Sequence, residues 1–137
     1  MILFHCVIPI RCIVKKNQQR VISIGKRKTV IYSPQYRRFQ KQAQLGFVRS
    51  RMEIKDHSRF PIIGELTVHY RFGFKNRQGE ADVSNLIEGP QDILAECGII
   101  KNDKQIKYLT AEKVFEGMEF VEITVRKFKE EHRARVA

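Results

Sequence analysis

Residues 65–74, Glu-Leu-Thr-Val-His-Tyr-Arg-Phe-Gly-Phe, put an apolar side chain at every second position. Leu66, Val68, Tyr70, Phe72 and Phe74 alternate with Glu65, Thr67, His69, Arg71 and Gly73. Successive side chains of a strand point to opposite faces, so this run buries its large residues together only as a β-strand with one face on a core. A helix would scatter the same residues around its axis. The chain must therefore build a sheet and supply apolar elements to cover one side of it.

Two segments have the spacing to do so. Ser33-Pro34 opens the first: Ser33 can cap free amides and proline suits the first helical position. Tyr36, Phe39, Ala43 and Phe47 then recur at three- and four-residue intervals, with Arg37, Arg38, Lys41 and Arg49 on the other faces. The second covers residues 86–97, with Leu86, Pro90, Ile93, Leu94 and Cys97 on one side and Gly98 as a stop. Pro90 would leave the carbonyl of Leu86 without its partner, so the helix either bends there or becomes regular only from Pro90. Further strands are expected at residues 2–14, 21–24, 30–32, 106–115 and 118–128, with Gly25 to Lys28 as a turn, Glu116-Gly117 as a tight hairpin, and Val121, Ile123 and Val125 facing the core. The sum is a single α+β domain over residues 1–137: a mixed sheet with two principal helices packed on it, and a charged tail from about 127 that frays.

Charge narrows the partners. The net charge is +11, from 26 Lys and Arg, 15 Asp and Glu. Residues 1–60 hold 14 Lys/Arg and 2 Asp/Glu, a net of +12; residues 61–137 hold 12 and 13, a net of −1. One half carries the whole excess, which points to a polyanion, since Lys and Arg replace counterions on phosphates. The competing explanations are a basic face that only aids solubility and an anionic membrane surface. Lys15, Lys16, Arg20, Lys26, Arg27, Lys28, Arg37, Arg38 and Lys41 are the candidate phosphate contacts, which would fix orientation without reading sequence. The 3 cysteines form no CxxC pair, which argues against a zinc site or disulfide framework and fits a reducing cytoplasm. The apolar opening residues are interrupted by His5, Pro9 and Arg11, lack a leading basic segment and are too short to span a bilayer, so no membrane role is expected.

The acidic residues gather where the basic ones thin out: Glu80, Asp82, Glu88, Asp92, Glu96 and Asp103, with Lys101 the one cation between them. Such an island repels phosphate unless a divalent cation sits on it. Mg²⁺ takes one or two carboxylates and accepts further oxygens from a phosphate, where it can activate water and offset charge on the leaving oxygen. On composition alone a solvated acidic helix face is the readier explanation. The four histidines are scattered, and His69 on the polar side of its strand reads as a surface residue rather than a catalytic base.

The order of residues is more specific. Asp82-Val83-Ser84-Asn85-Leu86-Ile87-Glu88 is followed by Asp92-Ile93-Leu94, then by Gly98-Ile99-Ile100-Lys101-Asn102-Asp103-Lys104-Gln105-Ile106. Upstream stand Lys15-Lys16-Asn17 and Ser33-Pro34-Gln35-Tyr36. Taken together, from about residue 10 to 125, this resembles the RusA family of Holliday junction resolvases. The resemblance implies a homodimeric, Mg²⁺-dependent endonuclease of phage and prophage type that cuts four-way DNA junctions, with Mn²⁺ as a possible substitute and no small-molecule cofactor. It implies that Asp82 and Asp103 bind metal and that Asn85 is a site residue. Two positions depart from the family pattern. Ser84 stands where the best-known members have a third aspartate, and Glu88 stands where they have a lysine. Either Glu88 replaces the missing carboxylate, giving a metal site of Asp82, Glu88 and Asp103, or metal binding is weakened and the protein binds junctions without cutting.

Geometry constrains the first alternative. A helix over residues 84–97 is about 20 Å long, and residues 98–103 span at most about 20 Å when extended. Asp82 and Asp103 can barely share a site in one chain if the connection runs straight back, and more easily if the helix bends at Pro90 or starts there. Otherwise Asp103 must come from a second subunit. A third possibility, a structural basic protein such as a ribosome-associated one, predicts no preference for branched over linear DNA.

Overall fold

The computed structural model describes residues 1–16 and 18–134. The chain runs β1 (Ile2–Ile8), β2 (Gln19–Ile24), β3 (Arg27–Tyr32), α1 (Pro34–Met52), β4 (Leu66–Gly73), α2 (Val83–Glu96), β5 (Ile106–Val114), β6 (Phe120–Lys127) and α3 (Glu130–Ala134). Four strands form a mixed sheet in the order β1-β6-β4-β5, while β2 and β3 make a separate two-stranded ribbon. This is the α+β architecture expected, with α1 and α2 as its principal helices. Asn17, part of the Lys15-Lys16-Asn17 motif, lies outside the described residues, as does the end of the charged tail, residues 135–137; before it the chain forms α3 where fraying was expected.

β4 is a central strand, and Leu66, Val68, Tyr70 and Phe72 are fully buried on the helix-covered side. Its other side forms an open polar face: Arg71 donates to Glu112 at 2.8 Å and to Glu122 at 2.9 Å, and His69 pairs with Thr110. Tyr36, Phe39, Ala43 and Phe47 of α1 complete the same core, and the Ser33 hydroxyl accepts from the Tyr36 amide at 3.1 Å.

Three expectations need correction. β1 ends at Ile8 rather than at residue 14, because Pro9 offers no amide to the ladder and the chain turns away (Ile10 N–H to Ile8 C=O, 2.8 Å). The segments 106–115 and 118–128 do not pair as a hairpin. β5 runs parallel to β4 and β6 antiparallel to it on the other side, so β4 lies between them and residues 115–119 cross over its end. Gly73 makes that crossing feasible, since a Cβ there would lie 2.2 Å from the Phe120 ring and 2.7 Å from the Met118 carbonyl.

α2 is the third. It does not start at Pro90 but runs from Val83 to Glu96 with Pro90 inside it, until Gly98 at φ +69° ends it. The carbonyl of Leu86, deprived of an amide by Pro90, receives the Cys12 thiol instead, S to O 3.4 Å in the core. Burial pushes the Cys12 thiol up, which keeps the proton on sulfur for donation. One residue earlier, Gly89 gives Tyr36 its place, as a Cβ there would be 3.0 Å from the Tyr36 hydroxyl. The Gly89-Pro90 step, unfavourable for a helix in isolation, is thus what lets α2 dock on both α1 and the 10–14 segment.

Cys12→Ala should lower unfolding free energy by about 1–3 kcal/mol by stranding the buried Leu86 carbonyl. In a Pro90→Ala background, where residue 90 has its own amide for that carbonyl, the same substitution should cost distinctly less. A double-mutant cycle in urea reads the coupling; additive losses would show that the thiol is not the carbonyl's partner.

Candidate functional site

Asp82 is set in place by the chain that leads to it. Arg11 donates to the carbonyls of Gln78 at 3.2 Å and Gly79 at 2.8 Å, and Lys113 at the far end of β5 donates to Glu80 at 3.0 Å and to the Ala81 carbonyl at 3.1 Å. The Lys113 hydrogen bond holds the Glu80 carboxyl below the usual glutamate value. Asp82 follows as the N-cap of α2, with φ −63° and ψ 140°, yet its side chain makes no cap hydrogen bond. The N-caps Ser33, Asp56 and Asn102 do use their side chains in this way. The Asp82 carboxylate is exposed, and no described residue forms an ion pair with it.

Asp103 opens a one-turn 3₁₀ helix, Asp103–Gln105, at the start of β5. A reciprocal cap fixes this turn: the Asn102 side chain accepts from the Lys104 amide at 3.0 Å, and Gln105 accepts from the amides of Lys101 at 2.7 Å and Asn102 at 3.1 Å. The Gln105 amide group then donates to the carbonyls of Ile62 at 2.8 Å and Gly64 at 3.1 Å, tying the turn to the chain entering β4. Asp103 is also exposed and unpaired among the described residues.

The two aspartates therefore lie at opposite ends of the parallel β4–β5 pair. Ile106, just after Asp103, is in register with Leu66, whereas Lys113, which holds Ala81, is in register with Phe72. The seven strand steps between Ile106 and Lys113 amount to about 23 Å. The connection after α2 does not run back toward Asp82; Ile100 instead bridges to Ile62. Ser84 and Glu88 are exposed one helical turn apart on the outer side of α2, and Asn85 is half-buried on its flank. Glu88 lies about 9 Å along the axis from Asp82. No three His, Cys, Asp or Glu side chains among the described residues are grouped to hold a metal ion. One chain thus keeps Asp82, Glu88 and Asp103 apart.

Among the described residues of the C-terminal half six cations are paired and Lys101, Lys104, Arg126, Lys127 and Lys129 are not, whereas the candidate phosphate contacts of the N-terminal half are free with one exception. Arg71, Lys75, Arg77, Lys107, Lys113 and Arg133 all sit within ion-pair distance of a carboxylate. Lys16, Arg20, Lys26, Arg27, Lys28, Arg37, Arg38 and Lys41 are exposed and make no ion pair among the described residues. Arg20 and Arg37 line one cleft, of about 500 Å³, between the base of the ribbon and α1. The exception is Lys15, expected as a phosphate contact. Its side chain is 16% exposed, with its ammonium 2.5 Å from Asp92 of α2 and over the Tyr32 ring. Burial works against its charge, but the Asp92 hydrogen bond and charge outweigh that and raise it above the ordinary lysine value. Lys15 joins α2 to the N-terminal segment and is not free for phosphate.

His69 sits on the open sheet face, away from both aspartates, against Thr110 at 2.5 Å. No helix among the described residues is long and apolar enough to cross a membrane. The sequence model of the family described as endodeoxyribonuclease RusA matches residues 9–126. The chain belongs to the RusA endodeoxyribonuclease family. No curated protein matches it. For a RusA-family chain the informative residues missed by sequence reasoning are Arg11, Lys113 and Gln105, which place the two aspartates. Gln105 was legible as the fourth residue of Asn-x-x-Gln, a capping-box spacing. Arg11 and Lys113 act on loops far away in sequence and left no local signal.

Gln105→Ala removes four hydrogen bonds around Asp103. It should speed amide exchange at Lys101 and Asn102 and lower stability by about 1–3 kcal/mol, without changing exchange at the Asp82 end of α2. Hydrogen-exchange mass spectrometry checks this, and unchanged protection at 101–102 would contradict it.

Proposed function

We propose that this RusA-family nuclease is a homodimeric, Mg²⁺-dependent endonuclease that hydrolyses phosphodiesters at four-way DNA junctions. The observation that carries the reading is Asp82: an N-cap aspartate that does not cap, is braced from below by Arg11 and Lys113, and stands in a protein whose other half is covered in unpaired cations. A carboxylate kept out of structural hydrogen bonds is available as a ligand. Asp103, held just as firmly, is the second.

Within one chain these residues do not fit a common metal site. A two-fold axis perpendicular to β4 exchanges the ends of the β4–β5 pair, so that the Asp103 end of one subunit meets the Asp82 end of the other. The reading therefore assigns the metal to Asp82 and Asp103 of different subunits, with Ser84, Asn85 and Glu88 on the α2 surface nearby. Bound there, Mg²⁺ or Mn²⁺ supplies Lewis-acid stabilisation of the phosphodiester. The exposed cations orient the phosphate backbone, and a dimer offers two equivalent sites to a junction of approximate two-fold symmetry. Its three cysteines are free thiols, in keeping with a reducing compartment such as the cytoplasm.

Ser84 supports a second reading, a silent junction binder: a neutral hydroxyl stands where other members have a carboxylate, and Glu88 lies too far along α2 to occupy the same point.

Incubation with a labelled four-way junction, in Mg²⁺ and in EDTA, separates the two. The first reading expects paired symmetric nicks that require metal, fall by at least about 100-fold in Asp82→Asn and in Asp103→Asn, and leave junction binding intact. Tight binding without cutting in Mg²⁺ or Mn²⁺ would establish the second.

A further inference from the structure

The β2–β3 ribbon has no evident place in the fold. It forms its own sheet, and along both strands almost every residue is exposed or half-exposed. Two-stranded ribbons with both faces in water are marginal by themselves. Yet this one carries large aliphatic side chains in solvent: Val21 is 65% exposed, Ile24 64% and Val30 48%. Ile24 pairs with Arg27 across the Gly25-Lys26 turn, and nothing lies within 4 Å of where a Gly25 Cβ would be, so the tip projects into open space.

The root is fixed. The Ser33 amide donates to the Gln18 carbonyl at 2.7 Å, and the Tyr32 ring lies 5.1 Å from Tyr36, which is buried in the core. Gln18 shares a pocket with Gly79, Ala81 and Leu86, so the ribbon stands beside the chain that leads into Asp82. Six residues of strand carry its tip about 20 Å away from there.

We propose that the ribbon is a DNA-inserting arm, with Ile24 as a wedge between bases at the branch point and Lys26, Arg27 and Lys28 holding the flanking phosphates. This rests on the junction-nuclease reading and assigns to it the element that opens the substrate. The occupant follows from charge: the tip is an aliphatic side chain set among three unpaired cations, which suits bases flanked by phosphates and repels a second equally basic ribbon. The major groove admits a two-stranded ribbon, and aliphatic wedges are a recurrent means of prising base steps apart. Bases at a branch point already lack a stacked neighbour on one side, so insertion costs less there than in a duplex. Of the exposed aliphatics only Ile24 is at the leading end; Val21 and Val30 face each other in mid-ribbon, where they can cover sugar.

The test uses a four-way junction with 2-aminopurine beside the branch point, a linear duplex of the same sequence, and light scattering. The parent protein should raise the 2-aminopurine fluorescence on binding. Ile24→Ser should lose most of that rise and about tenfold of the junction-over-duplex preference, with its salt dependence unchanged. Ile24→Phe should restore the rise. Lys26→Gln/Arg27→Gln/Lys28→Gln should instead flatten log K against log [salt] by about 2–3, on junction and duplex alike. An Ile24→Ser protein with full fluorescence and preference overturns the arm while leaving the nuclease reading standing. An Ile24→Ser protein that has become monomeric overturns it in favour of a contact between copies. A parent protein that does not prefer the junction overturns both.

Discussion

Parallel pairing of β4 with β5 is the constraint on which the rest of the structure depends. Two parallel neighbours cannot be joined by a turn, so the chain must cross from the end of one to the start of the other. α2 makes that crossing, with Asp82 as its N-cap and Asp103 just after its return. The two ends of such a crossing are necessarily a strand length apart. The same topology buries both faces of α2's inner surface against the sheet and α1, which is why a Gly-Pro step inside a helix is tolerated. Gly89 yields to Tyr36, and the Cys12 thiol takes the carbonyl that Pro90 leaves open.

The second organising fact is electrostatic segregation. Carboxylates of the sheet and its loops pair Arg71, Lys107 and Lys113 of the C-terminal half, on the open face and at both ends of β5. The N-terminal half has almost none to offer, so its Lys and Arg side chains stay free on the ribbon and α1. Lys15 shows the rule by breaking it: it is the one cation of that set within reach of an α2 carboxylate, and it is committed to it. A protein that leaves eight exposed cations without an ion pair on its ribbon, α1 and the segment before them, among the described residues, is arranged for a polyanion rather than for stability.

Much of this was legible in the sequence, where local pattern and tertiary demand agree. The alternation from Leu66 to Phe74 and the spacing from Tyr36 to Phe47 each reported a buried face, and Ser33-Pro34 reported a helix start. What local pattern could not report is which strand lies beside which. β5 and β6 are neighbours in sequence with Glu116-Gly117 between them, and only Gly73, whose missing side chain accommodates Phe120, betrays that β4 lies between. The continuity of α2 through Pro90 depended on a thiol 74 residues upstream. At the candidate site the carboxylates were proposed from the sequence because ligand chemistry favours that residue type. Their separation was not legible, because it follows from the parallel topology, and the commitment of Lys15 to Asp92 needed the packing of α2 against the N-terminal segment.

The central claim is that Asp82 and Asp103 serve one site only across a dimer. It is tested most directly by mixing the two single variants, Asp82→Asn and Asp103→Asn, after denaturation and refolding together, and measuring nicking of a four-way junction in Mg²⁺. Each variant alone should be inactive. In a mixed dimer, the intact Asp82 of one subunit meets the intact Asp103 of the other at one of the two sites. Single nicks should therefore reappear, in proportion to the fraction of mixed dimers. If the mixture stays as inactive as either variant, while each still binds the junction, the aspartates act within one chain and the account is wrong.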